Sequence, residues 1–132
     1  MIKLPAGVEY SLLAMLHLAE RHGEGRLVKA AEIAEAEDVP LSFLERLLAQ
    51  LRAGGLLEST RGPGGGHRLS RSPDSITAAE VLEAILGPKA AGGRLGFLWK
   101  RCEAALAEVL EVSLDELARE WRSGVDVADY QI

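Results

Sequence analysis

The sequence predicts a mostly α-helical protein with one small β-hairpin: a winged helix-turn-helix followed by a long helix. Three observations predict it. Two short helical segments are joined at a corner marked by Asp38-Val39-Pro40. A Gly-rich hairpin, Arg61-Gly-Pro-Gly-Gly-Gly66, follows directly. A later stretch repeats apolar residues at helical spacing without an obvious neighbour to cover them.

The first helix is expected from about Pro5 to Arg21, with Leu12, Leu13, Leu16 and Ala19 along one face. The glycines of His22-Gly-Glu-Gly25 stop it. Arg26-Leu27-Val28 is short enough to be a single strand rung. A short helix from about Lys29 to Ala36 comes next, then the turn at 37–40. Proline there disfavours helix in the residue before it and suits a helix start. The following helix, about Leu41 to Ala53, places Leu44, Leu47, Leu48 and Leu51 at i, i+3, i+4 and i+7, a buried stripe. Gly54-Gly55 ends it.

Residues 56–60 and 67–70 read as two strands around the glycine-rich tip, because glycine and proline there meet the backbone demands of a tight turn. A basic hairpin after a second helix is a wing. The loop lacks the Gly-Lys-Ser/Thr ending of a nucleotide-binding loop, and no helix follows it. Thr77-Ala-Ala-Glu80 and Ser113-Leu-Asp-Glu116 are capping boxes that open helices at about 78–86 and 114–122. Between them a helix from about Leu95 to Glu111 carries a broad apolar stripe: Leu95, Leu98, Trp99, Cys102, Ala105, Leu106, Val109 and Leu110. Such a face needs a partner, and the same helix of a second chain gives a two-fold dimer. Folding back on its own first helix is the alternative. The division is therefore 1–72, DNA-binding domain; 73–94, connecting helix and linker; 95–123, dimerisation helix and C-terminal helix; and 124–132, tail.

The chain has 132 residues and a net charge of −5, which alone speaks against nucleic acid. Its distribution does not. Residues 41–71 hold five arginines against Glu45 and Glu58, so this segment is +3 and the remainder −8. A basic island on an acidic body suits DNA, although a solvated basic face gives the same count. Helix positions 42, 45, 46 and 49 lie opposite the leucine stripe and face outward. Glu45 is placed to accept from a cytosine amino group and Arg46 to donate to guanine or phosphate. Glu45 also fits a local cap with Ser42. Arg61 at the wing tip suits a narrow minor groove. Lys29, Arg52 and Arg68 suit phosphates, which position without specifying sequence.

No apolar run approaches the roughly 18 to 20 residues that span a bilayer, and Met1-Ile-Lys-Leu-Pro5 lacks the apolar core of a signal peptide. A cytoplasmic protein is expected. One cysteine, Cys102, leaves no intramolecular disulfide. His17, His22 and His67 are scattered without metal-ligand spacing. There is no paired-carboxylate arrangement, nucleophile elbow or Cys–His pair near in sequence, so an enzyme is not expected.

Taken together, Tyr10-Ser-Leu-Leu-Ala14, Ala31-Glu-Ile-Ala34, Phe43-Leu-Glu45, Leu51-Arg-Ala-Gly-Gly-Leu56, Arg61-Gly-Pro-Gly-Gly-Gly66 with Arg68-Leu69, and Ile76-Thr77 resemble the bacterial winged helix-turn-helix regulators of the Rrf-two family. The resemblance spans about residues 5–120. It implies a homodimeric transcription regulator on an inverted-repeat operator, most often a repressor. It implies DNA contacts from Ser42, Phe43, Glu45, Arg46 and Arg61. Many members carry three cysteines near the start of the long helix that hold an iron–sulfur cluster. This chain departs from that pattern, since residues 87–96 contain no cysteine. Some relatives use a first-helix glutamate and histidine; Glu9 falls near the former, Leu13 stands at the latter, and His17 lies one turn on. No cluster and no other cofactor is expected. His67 stands where the family usually has tyrosine, and a backbone contact is expected of it rather than a metal.

Without a cluster, the controlling signal is open between a partner enzyme, a small ligand in a cleft near Trp99, and oxidation of Cys102 across a dimer axis. Constitutive repression is also open. The ordinary reading of Cys102 is a small buried hydrophobe. The competing reading of the whole chain is a winged-helix protein-interaction module, which fold alone does not exclude; basic charge at the helix start and wing favours DNA.

Overall fold

A computed structural model describes residues 3–87 and 93–124. Helix α1 (Ala6–Glu20) starts from Pro5, whose carbonyl accepts from the Val8 and Glu9 amides at 3.0 Å. A 3-10 turn at His22–Glu24 leads to the extended residues before α2 (Ala30–Glu37). Helix α2 runs one residue past the sequence expectation and closes on Asp38, which takes a left-handed conformation at φ 54°. Aspartate tolerates that region better than most side chains. The turn is held by the Val39 amide on the Ala34 carbonyl at 3.0 Å.

Helix α3 (Leu41–Ala53) buries Leu44, Leu47, Leu48 and Leu51, the stripe the spacing predicts. Strands β1 (Leu57–Thr60) and β2 (Gly66–Leu69) pair antiparallel, with Leu57 opposite Leu69 and Thr60 opposite Gly66. The expected third rung is present. Val28 and His67 exchange both backbone hydrogen bonds, at 2.9 and 2.7 Å. Two tip glycines are required by space. A Cβ at Gly65 would lie 2.1 Å from the Thr60 carbonyl oxygen, and one at Gly66 2.7 Å from the Val28 carbonyl oxygen.

Helix α4 (Ala78–Leu86) is capped by the Thr77 hydroxyl, which accepts from the Glu80 amide at 3.2 Å. The Glu80 carboxylate pairs with Arg71. Helix α5 (Gly96–Leu110) follows, then α6 (Leu114–Arg122), capped by the Ser113 hydroxyl on the Glu116 amide at 3.1 Å. The entries to α4 and α6 are clasped. Ala78 donates to the Val112 carbonyl at 2.9 Å, and Leu114 donates to the Ile76 carbonyl at 2.8 Å. Helix α5 is thus an excursion that leaves the body and returns to it.

The body closes around one core. Met15, Ile33, Leu44, Leu48, Leu51, Ile76 and Leu114 are fully buried. Helix α6, which the sequence division groups with the long helix, contributes Leu114 and Ala118 to that core and packs on α1. The tail from 125 onward and most of the linker, 88–92, lie outside the described residues. Among the described residues no helix is long and apolar enough to cross a membrane.

Candidate nucleic-acid interface

Burial of the leucine stripe decides which face of α3 is left outward. Ser42, Glu45, Arg46 and Ala49 are all exposed. Phe43 sits at the edge of that face and is half-buried. Its ring meets Tyr10 of α1 edge-on, with centroids 5.6 Å apart, and the Arg46 guanidinium lies 5.3 Å over it. Phe43 is thus both a packing residue that seats α3 on α1 and a platform that orients Arg46. The i, i+3 spacing of Phe43 and Arg46 is the signal of this pairing in the sequence.

Arg61 is exposed at the start of the hairpin tip, and Lys29 is exposed at the N-cap of α2. Arg52 is exposed in the last turn of α3. Arg68 is exposed on the outer face of the hairpin, but it is engaged: its guanidinium lies 2.9 Å from the Glu58 carboxylate directly across the ladder. That register was not assigned from sequence, so the pair was missed.

His67 combines both kinds of contact. Its backbone holds the Val28 rung, and its Nδ1 lies 2.6 Å from the Ser59 hydroxyl. Burial pushes the imidazole below the usual histidine range; the charge of Arg52 adds to this, and Glu45 opposes it. In β2, His67 thus faces the charges of α3, and burial favours its neutral form.

His17 was not assigned a partner from sequence and has two. Buried in α1, its ring nitrogens lie 3.0 Å from Glu37 and 3.5 Å from Glu32, both on α2. Glu32 also meets Arg26 at 3.1 Å and Arg21 at 3.5 Å. The hydrogen bond from Arg26 is the main reason its carboxyl is held below the usual range. These groups, 15 and 20 residues apart in sequence, tie α1 to α2. Local spacing carried no sign of them.

The long helix differs from everything else. None of its residues is buried. Leu98, Trp99, Leu106 and Val109 are exposed, Trp99 by 60% and Val109 by 69%. Leu95, just before the helix, is exposed too, while Cys102 and Leu110 are half-buried. Phe97, outside the apolar stripe, is also exposed. A cavity of about 290 Å³ lies on the body, between the end of α1, residues 22–26 and β2.

The residues do not fit an iron–sulfur cluster. Cys102 is the one thiol in the sequence, and it lies on the apolar face inside α5. Among the described residues no group of three or more histidine, cysteine, aspartate or glutamate side chains is arranged to hold a metal ion.

An outward face on α3, a glycine-tipped basic hairpin beside it and a helix held apart define a winged helix-turn-helix fold, and the comparisons make it that of a transcription regulator. The Rrf2 family model, described as an iron-dependent transcriptional regulator, matches residues 4–123. The HTH-type transcriptional regulator CymR of Bacillus subtilis is 34% identical over 125 residues, covering 89% of this chain and 90% of that protein. The solved structure of T. potens IscR superposes with a TM-score of 0.75 at 30% identity, covering 90% of this chain and 88% of that one. The regulator IscR of Cereibacter sphaeroides is 40% identical over 85 residues, which is 64% of this chain; the match spans about half of that relative, 55%. The chain belongs to the Rrf2 family.

Proposed function

We propose that this chain is a cytoplasmic repressor that binds an inverted-repeat operator as a homodimer and works without an iron–sulfur cluster. The observation that carries this reading is the outward face of α3. Its four exposed positions are fixed by burial of the opposite leucines, and the Arg46 head rests on Phe43.

Each element then has a task. Ser42, Phe43, Glu45 and Arg46 meet base edges in the major groove. Arg61 enters the flanking minor groove. Lys29 and Arg52 hold phosphates, and Arg68 does so by exchanging Glu58 for phosphate. The α5 faces of two chains, through Leu95, Leu98, Trp99, Cys102, Leu106, Val109 and Leu110, form the seam that sets half-site spacing. Supporting the absence of a cluster is ligand number: two chains together offer two thiols, both in the apolar seam.

Selection of bound duplexes from a random library at near-physiological salt tests the reading, with protein purified without oxygen. An inverted repeat is the expected product. Binding without sequence preference, lost as salt rises, contradicts it and favours a winged domain that holds protein partners.

A further inference from the structure

We propose that the cavity between the end of α1, residues 22–26 and β2 binds a small multivalent oxyanion, and that its occupancy changes the grip on DNA. The volume, about 290 Å³, is at the lower end of what small-molecule sites occupy, roughly 300 to 1,000 Å³. Its wall brings together Arg21, His22, Arg26, His67 and Arg68, against the single carboxylate of Glu58. The carboxylates that now hold these arginines, Glu20, Glu24 and Glu32 beside Glu58, balance their charge, so the concavity offers guanidinium groups rather than a net positive field. Three guanidinium groups from three separate segments offer the forked donors that carboxylate and phosphate oxygens match.

Each of these arginines is held by a carboxylate. Arg26 pairs with Glu24 at 2.8 Å and with Glu32 at 3.1 Å, Arg21 with Glu32 at 3.5 Å, and Arg68 with Glu58 at 2.9 Å. Solvent-exposed pairs of this kind are weak, at about 0 to 1 kcal/mol. An anion carrying two or three charges in the same concavity competes with these carboxylates, most directly at the exposed Arg26–Glu24 and Arg68–Glu58 pairs. The present partners give the exchange a consequence. Glu32 belongs to α2 of the helix-turn-helix, and Glu58 to β1 of the wing. An anion joining Arg26 to Arg68 ties the 22–26 loop to the wing strand, and it frees Glu32 from the loop. A ligand that favours one wing placement over another shifts DNA affinity by the difference. The cavity adjoins the sheet on the Val28 side, so the ligand acts through the wing rather than through the α5 seam.

The test is calorimetric titration of the full chain with citrate and, separately, pyrophosphate, at constant ionic strength. Saturable binding of one anion per chain is expected for at least one probe, and which probe binds separates a polycarboxylate from a phosphate ligand. Arg26→Gln and His22→Ala lie on exposed loop positions, and each should weaken binding, Arg26→Gln by about tenfold or more. No heat with either probe up to about 10 mM overturns the site, and so does equal binding by both variants. In a second arm, duplex affinity is measured with and without saturating probe. A change in the wild type that disappears in Arg26→Gln supports the coupling. A change that persists in Arg26→Gln overturns it, because the anion is then only displacing phosphates from DNA-facing arginines. The coupling rests on the regulator reading, whereas the calorimetric arm does not: a chain that binds the anion but no duplex breaks that reading and leaves the site standing.

Discussion

Helices α1 and α5 are both fifteen residues long, and their environments are opposite. Helix α1 buries Val8, Ser11, Ala14, Met15, Leu16, His17 and Leu18 among α2, α3, α4 and α6. Helix α5 has no fully buried residue among those described, and its main neighbour in the body is α4. Each has an apolar face at helical spacing. The difference teaches that such a face announces a need for cover and does not say what supplies it. The body meets that need internally. Helix α5 carries Leu98, Leu106 and Val109 into solvent, an exposure a stable monomer rarely tolerates as a contiguous patch.

The largest effect should come from Leu106→Glu. In the proposed dimer a charge at this position is buried in the α5 seam, so the dimer dissociation constant should rise about a hundredfold or more. Circular dichroism of the body should stay unchanged. Loss of the fold together with the dimer would show that α5 is part of the core after all.

Leu48→Ala is the converse. Leu48 is fully buried in the body, and truncation there should cost about 2 to 5 kcal/mol of stability by denaturant titration. The remaining folded fraction should still associate. Arg61→Ala touches neither core nor seam. It should weaken operator binding by about 1 to 3 kcal/mol and relax the preference at the flanks, with melting temperature unchanged. An unaltered binding profile would remove the wing tip from the interface.

The smallest effect concerns pH. Because burial holds the folded His67 below its ordinary value of 6.5, the folded state takes up a proton less readily than the unfolded one. Its contribution to stability is complete above about pH 6.5 and declines as pH falls through that value, until the folded ring titrates as well. His67→Gln should flatten that part of the stability profile, read by thermal melts between pH 5 and 7.5 (a window set by ordinary histidine titration). A slope identical in the variant would assign it to other groups.

The parts of the fold legible in sequence were those written in local signals. The leucine stripe of α3, the hydroxyl caps at Thr77 and Ser113, and the glycine at 65 all act within a few residues. The Val28 rung was legible because so short a segment leaves room for little else. What stayed hidden depends on tertiary approach. Glu32 gathering His17, Arg21 and Arg26 follows from how α1 crosses α2, and no spacing encodes that. The return of α6 to the core was hidden for the same reason, since its amphipathic pattern is equally suited to a partner chain. In the candidate interface, the exposure of Ser42, Glu45 and Arg46 followed from periodicity. The engagement of Arg68 by Glu58 needed the strand register.

Sedimentation equilibrium of the unmodified chain across micromolar concentrations tests the central claim most directly. The account predicts a mass twice the 14.2 kDa of one chain, falling to a single chain for Leu106→Glu. A monomer throughout that range, stable and without tendency to associate, would contradict it.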